Sequence, residues 1–176
     1  MKKQLFAVSA LALSVMSGAA LAAPQDVQFV GVVTDVTCDI KPEVNGTTGN
    51  YVQLGTVAAS ATGSDIPFVL KADAGTGQGS CGSQLTGKTA TVSWVGPFDA
   101  TGLASKTGSA TDAVALIKTV NSSATSQVTM TSNDTQAEFN AANLTNGTGL
   151  KFTAALKGGT QKGDYISSAA FLVQYK

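Results

Sequence analysis

The sequence predicts an all-β chain folded as an antiparallel sandwich, and two observations carry that prediction. Apolar residues recur with period two over short runs, and those runs are separated by segments rich in Gly, Asn, Thr and Ser. Alternation puts one side of each strand on a core and the other in water, which suits antiparallel sheets.

The elements follow in order. Val27, Phe29, Gly31 and Val33 alternate with Gln28, Val30, Val32 and Thr34 in a first strand. Tyr51 to Leu54 is a short strand candidate ended by Gly55. Ile66 to Lys71 carries Pro67 near its start, where a missing donor harms a ladder least. Thr89 to Val95 alternates cleanly and stops at Gly96-Pro97, and its Trp94 is expected in the core. Ala113 to Val120, Ser126 to Met130, Leu150 to Lys157 and Tyr165 to Tyr175 complete the set. Ala137 to Leu144 fits either a turn of helix or a loose strand. Asn45 to Asn50, Ala74 to Gly79, Gly102 to Gly108 and Asn143 to Gly149 read as turns.

The start of the chain has a different character. Met1-Lys2-Lys3, an apolar run from Leu5 to Met16, and small residues at Ala20 and Ala22 form a secretory signal pattern over 1–22. The run is shorter than the roughly 20 residues of a membrane span. Cleavage after Ala22 leaves 154 of the 176 residues, enough for one domain with a real core. That chain has nine lysines, no arginine and eleven acidic residues, a formal charge of −2. Nucleic acid is therefore a poor partner. Cys38 and Cys81 are expected to pair outside the cytoplasm, closing a loop of about 44 residues worth roughly 4 kcal/mol of unfolded-state entropy.

The chemistry of catalysis is hard to assemble. The chain has no histidine, so the common Ser/His and Cys/His bases are missing, and no cofactor or metal is implied. Asp35 and Asp39 are close in sequence but lie roughly 13 Å apart on an extended chain. Gly75 to Ser80 lacks the Lys-Ser/Thr ending of a phosphate loop. Trp94, Lys106, Lys118 and Tyr51 are available for a lectin-like surface, but nothing in the sequence groups them, and no receptor site is assigned.

The two ends are more specific. The first strand begins almost at once after the cleavage point, and the last runs to the final residue. Phe171, Val173 and Tyr175 project to one side of that last strand; Ala170, Leu172 and Gln174 project to the other. If it lies at a sheet edge, something must pair with it. Phe29-Val30-Gly31-Val32-Val33 ahead of Cys38, the second cysteine at Cys81, Gly163 fourteenth from the end and Tyr175 next to last together resemble the major pilins of Gram-negative chaperone–usher fimbriae. Val-x-Phe-x-Gly-x-Val beginning four residues after the cleavage point is similar to the short-tailed fimbrial adhesin subunits of animal enteric pathogens.

That resemblance implies an incomplete immunoglobulin-like sandwich lacking its seventh strand and completed by donor-strand exchange. It divides the chain into a signal peptide (1–22), a donor extension (23–34) and a pilin domain (35–176). Gln25, Val27, Phe29, Gly31 and Val33 become the donor strand. Gly163, Phe171, Val173, Tyr175 and Lys176 become the face that meets the chaperone and then the donor. The implied partners are neighbouring copies in a head-to-tail polymer, a periplasmic chaperone, an outer-membrane usher and a host glycan or glycoprotein. The implied location is a fimbria on the cell surface. The alternative is a self-contained secreted sandwich that binds carbohydrate or protein as a monomer.

Overall fold

The computed structural model describes residues 38–72 and 85–176. The strands are β1 (Ile40–Val44), β2 (Thr47–Thr48), β3 (Ile66–Ala72), β4 (Thr89–Val95), β5 (Leu103–Ala104), β6 (Val114–Thr119), β7 (Gln136–Asn140), β8 (Leu150–Lys157) and β9 (Ala170–Tyr175). One short helix, α1 (Ala142–Thr145), follows β7. Every strand pairing is antiparallel. One sheet runs β2-β1-β3-β8-β6-β5 and the other β7-β4-β9.

The alternation in β4 and β8 explains why these sheets face each other. Ala90, Val92 and Trp94 of β4 are buried, as are Leu150, Phe152 and Ala154 of β8. Aromatic rings bridge the layers: Trp94 stands edge-on to Phe152 at 5.5 Å and to Phe68 of β3 at 6.1 Å. Phe139 of β7 lies 5.2 Å from Phe152. Burying each such side chain stabilises the fold by about 1.5–3 kcal/mol. Trp94, 8 % exposed, is the core residue its position on an alternating strand predicts.

Several boundaries differ from those read in the sequence. Tyr51 to Leu54 forms no ladder, although Val52 and Leu54 still pack on the core while Tyr51 and Gln53 face out. Ser126 to Met130 contributes a single bridge, Thr129 to Lys118. The long closing strand is shorter, beginning at Ala170. Ala137 to Leu144 is both things in succession, strand and then helix. The β1–β2 hairpin was hidden by its polar flanks, but its Asn45-Gly46 turn has φ of 52° and 80°, the left-handed pair that a two-residue hairpin demands.

The strand order decides the fold class. In an immunoglobulin sandwich, strands A-B-E-D form one sheet and C-F-G the other. Here β1-β3-β8-β6 follow A-B-E-D and β4-β9 follow C-F. Beside β9, where strand G belongs, no strand lies among the described residues.

Candidate functional site

The edge of β9 is set by its register on β4. Thr89 and Lys176 exchange both backbone hydrogen bonds, at 2.8 and 3.0 Å. In an antiparallel ladder such pairs recur every second residue, so Gln174, Leu172 and Ala170 also turn their backbone groups to β4. Phe171, Val173 and Tyr175 then aim their N–H and C=O groups away from β4, toward the side that has no strand among the described residues.

Their side chains point the other way from solvent. Phe171, Val173 and Tyr175 all pack on the core, and all three are only half-buried. Phe171 reaches Trp94 with ring centroids 5.7 Å apart. The contrast with β4 is direct: its inward row is sealed, whereas the inward row of β9 is only half-buried, on the side where no strand lies among the described residues. Such a flank leaves apolar area wet at about 25 cal/mol per Å² and an edge of unpaired amides besides.

Polar groups at this flank are also unmatched. The Tyr175 hydroxyl and the Trp94 indole nitrogen are buried without a hydrogen-bond partner. Loss of solvation pushes the Tyr175 hydroxyl up to about 12. Lys176 is held at its backbone by Thr89, and its ammonium meets the Glu138 carboxylate.

Gly163 does not belong to the closing strand. It precedes β9, at φ 143°, where an added Cβ would clash with the Ser109 hydroxyl oxygen. Its role is a close approach in the segment that leads into β9. Residues with no family signal fasten the same segment. The Tyr165 hydroxyl donates to the Leu103 carbonyl at 2.8 Å and the Ser167 hydroxyl to that of Ala104 at 2.7 Å. Asp112 accepts from the Thr160 backbone and hydroxyl, both at 2.7 Å, and these bonds hold its carboxyl below the usual range. Nothing in the sequence marks an Asp as the acceptor for a loop 48 residues away.

The donor-strand candidates Gln25, Val27, Phe29, Gly31 and Val33 lie outside the described residues, as do Asp35 and Cys81. Cys38 is disulfide-bonded, and no free cysteine lies among the described residues. Of the groups considered for a lectin-like surface, Trp94 is in the core and Lys118 is paired with Asp65 at 3.2 Å. Among the described residues no three His, Cys, Asp or Glu side chains come together as a metal site would need.

No family model matches the chain. Over 174 residues it is 44 % identical to the F107 fimbrial protein of Escherichia coli, covering 99 % of both chains. The chain belongs to the fimbrial protein family. It is also 28 % identical to the K99 fimbrial protein of Escherichia coli over 186 aligned positions, again with 99 % of each chain covered. Among solved structures, the P pilus rod subunit PapA matches with a TM-score of 0.47 and 17 % identity, over 86 % of this chain and 100 % of that one. As a fimbrial protein the chain is a structural subunit and not an enzyme. It is exported through the periplasm and polymerises with other subunits in a surface fimbria.

Proposed function

We propose that this fimbrial subunit polymerises by strand donation: the open flank of β9 accepts residues 23–34 of a neighbouring copy once the signal peptide is removed. The half-buried row Phe171, Val173 and Tyr175, beside an unpaired backbone edge in the position of strand G, carries this reading. Apolar side chains and free amides on the same edge are what an added strand matches. In the periplasm a chaperone strand holds that edge first, an usher then exchanges it for the donor, and the finished fimbria contributes to adhesion to host cells. A disulfide between Cys38 and Cys81 joins the residues just before β1 to a point of the chain between β3 and β4.

The side-chain volumes support an antiparallel register. With Val27 opposite Tyr175, Phe29 falls opposite Val173, Gly31 opposite Phe171 and Val33 opposite Ala169. Each large side chain then meets a smaller one, and the smallest meets the Phe171 ring that leans on Trp94. A slip of two residues would set Phe29 against Phe171 and Gly31 against Ala169, overfilling one level and leaving a void at the next.

The test is to prepare the chaperone-bound subunit lacking residues 23–35 and add a synthetic peptide of those residues. Displacement of the chaperone by the peptide, with a 1:1 complex of higher melting temperature, is the expected result. A subunit that stays monomeric and stable alone, indifferent to the peptide, would instead identify a complete sandwich acting as a self-contained binding module.

A further inference from the structure

The adhesive part of that proposal still has no surface assigned to it, and the β1–β2 hairpin offers one. A depression of about 340 Å³ is lined there by Asn45, Thr47, Thr48, Asn50, Tyr51 and Gln53. Tyr51 is 76 % exposed, a large apolar ring that the fold leaves uncovered. Val52 and Leu54 pack on the core, so the extended chain turns Tyr51 and Gln53 out on one common side.

The state of the polar groups is the second observation. Some loop amides elsewhere are occupied: Asn121 holds Gly149 and Lys151, Asn140 holds Ala142, and Asn146 holds Thr148, whereas the side chains of Gln127, Asn133 and Gln161 hold nothing among the described residues. Among the described residues the side chains of Asn45, Asn50 and Gln53 hold nothing, nor do the hydroxyls of Thr47, Thr48 and Tyr51. Each amide offers both donors and an acceptor.

From this geometry we infer that the hairpin depression is a binding site for an uncharged sugar residue of a host glycan. An aromatic face beside groups that both donate and accept matches a pyranose, which has one apolar C–H face and a rim of hydroxyls that also do both. No charged side chain lines the depression, and the charged groups beside it in the fold are paired, Lys71 with Glu43 at 2.9 Å and Lys118 with Asp65 at 3.2 Å. A sialic acid or sulfated sugar would therefore lose its solvation there with no cation in return. The volume is near the lower end of small-molecule sites, roughly 300–1,000 Å³, so the site takes a single sugar and binds it weakly. Repetition along the fibre supplies the rest, because linked weak sites gain about 10²–10⁴ in avidity. This inference rests on the adhesive reading above.

The experiment uses purified fimbriae and saturation-transfer NMR with the methyl glycosides of galactose, glucose, mannose, N-acetylglucosamine and N-acetylgalactosamine, with methyl sialoside as the charged comparator. At least one neutral glycoside should receive saturation and the sialoside none. Tyr51→Ala should weaken that binding at least tenfold, Tyr51→Phe should retain it within a few-fold, and Gln53→Ala should weaken it with the fibre intact. Silence from every neutral glycoside, or equal binding by Tyr51→Ala fimbriae, overturns the site. Failure of Tyr51→Ala subunits to assemble overturns it too, by assigning the ring to a contact between subunits. Adherence to epithelial cells separates the two readings. Wild-type fimbriae that do not adhere defeat the adhesive role itself, whereas undiminished adherence by Tyr51→Ala fimbriae defeats only this site.

Discussion

Tyr175 and Gly163 both look like parts of one terminal motif, yet they act on different physical terms. At Tyr175 the hydroxyl is buried without a partner and its ionisation is pushed to about 12, above the tyrosine value near 10 of an unfolded chain. A raised value means that the folded state favours the neutral phenol. Its contribution to stability is complete below pH 10 and lost as the pH rises from 10 through 12. Chemical denaturation of the subunit across that window should show the loss, and Tyr175→Phe should flatten it; Tyr165, raised by burial as well, accounts for part of what remains. Gly163 acts sterically. At φ 143° and with the Ser109 hydroxyl in the place of a Cβ, Gly163→Ala should cost about 1–3 kcal/mol and lower the melting temperature. Adding Ser109→Gly should relieve the clash but not the backbone strain, so a full recovery of stability would show that the dihedral is harmless.

At the scale of elements, β9 is defined by what lies on its two sides. Its pairing with β4 runs from Val95–Ala170 to Ala90–Tyr175 and continues to Lys176, so the strand is rigidly templated on one flank. In the proposed register Gln28 of the donor falls opposite Gln174, on the outer face and at a closely spaced pair. Fimbriae carrying Gln28→Cys with Gln174→Cys should run as a covalent ladder on non-reducing gels, while Asp26→Cys with Gln174→Cys should not. Ladders from the second pair alone would place the donor two residues away. The feeder segment before β9 matters to this test, because Tyr165 and Ser167 hold it against β5 and Asp112 holds it against the loop before β6, without borrowing from the edge of β9.

For the whole molecule the proposed strand donation is a rule of assembly. With the donor at one end of the chain and the acceptor at the other, as proposed, the contact is head-to-tail and does not close on itself, and a filament is the consequence. Joining residues 23–34 to Lys176 through a short turn should let the subunit fill its own flank, since an antiparallel neighbour needs only a hairpin. Such a chain, with its native residues 23–34 removed, should be a monomer that resists heat better than the chaperone-bound subunit. Polymers from it would argue that another surface drives assembly. On the inferred reading the fibre also turns each weak hairpin site into one of many, which would place adhesion at this scale rather than in the single domain.

Local pattern made much of this legible in advance. Period-two runs located β3, β4, β6 and β8 within a residue or so, because inward side chains must be apolar wherever a sheet covers a core. The alternation of Phe171, Val173 and Tyr175 likewise showed which side of the last strand is apolar. Local pattern failed where contacts between distant residues decide the outcome. β1 and β2 carry polar residues and a proline, and they are strands because β3 lies alongside β1 and Asn45-Gly46 folds β2 back. Tyr51 to Leu54 alternates like a strand but joins no ladder among the described residues. Gly163 carries a terminal signature, yet its reason for being glycine is Ser109, which no spacing from the chain's end discloses. The sequence by itself determined which faces are apolar, since that depends on nearest neighbours along a strand. Only the tertiary structure decided which edge stays open and which polar groups stay unengaged, since a hydrogen bond or a gap needs two parts of the chain to meet.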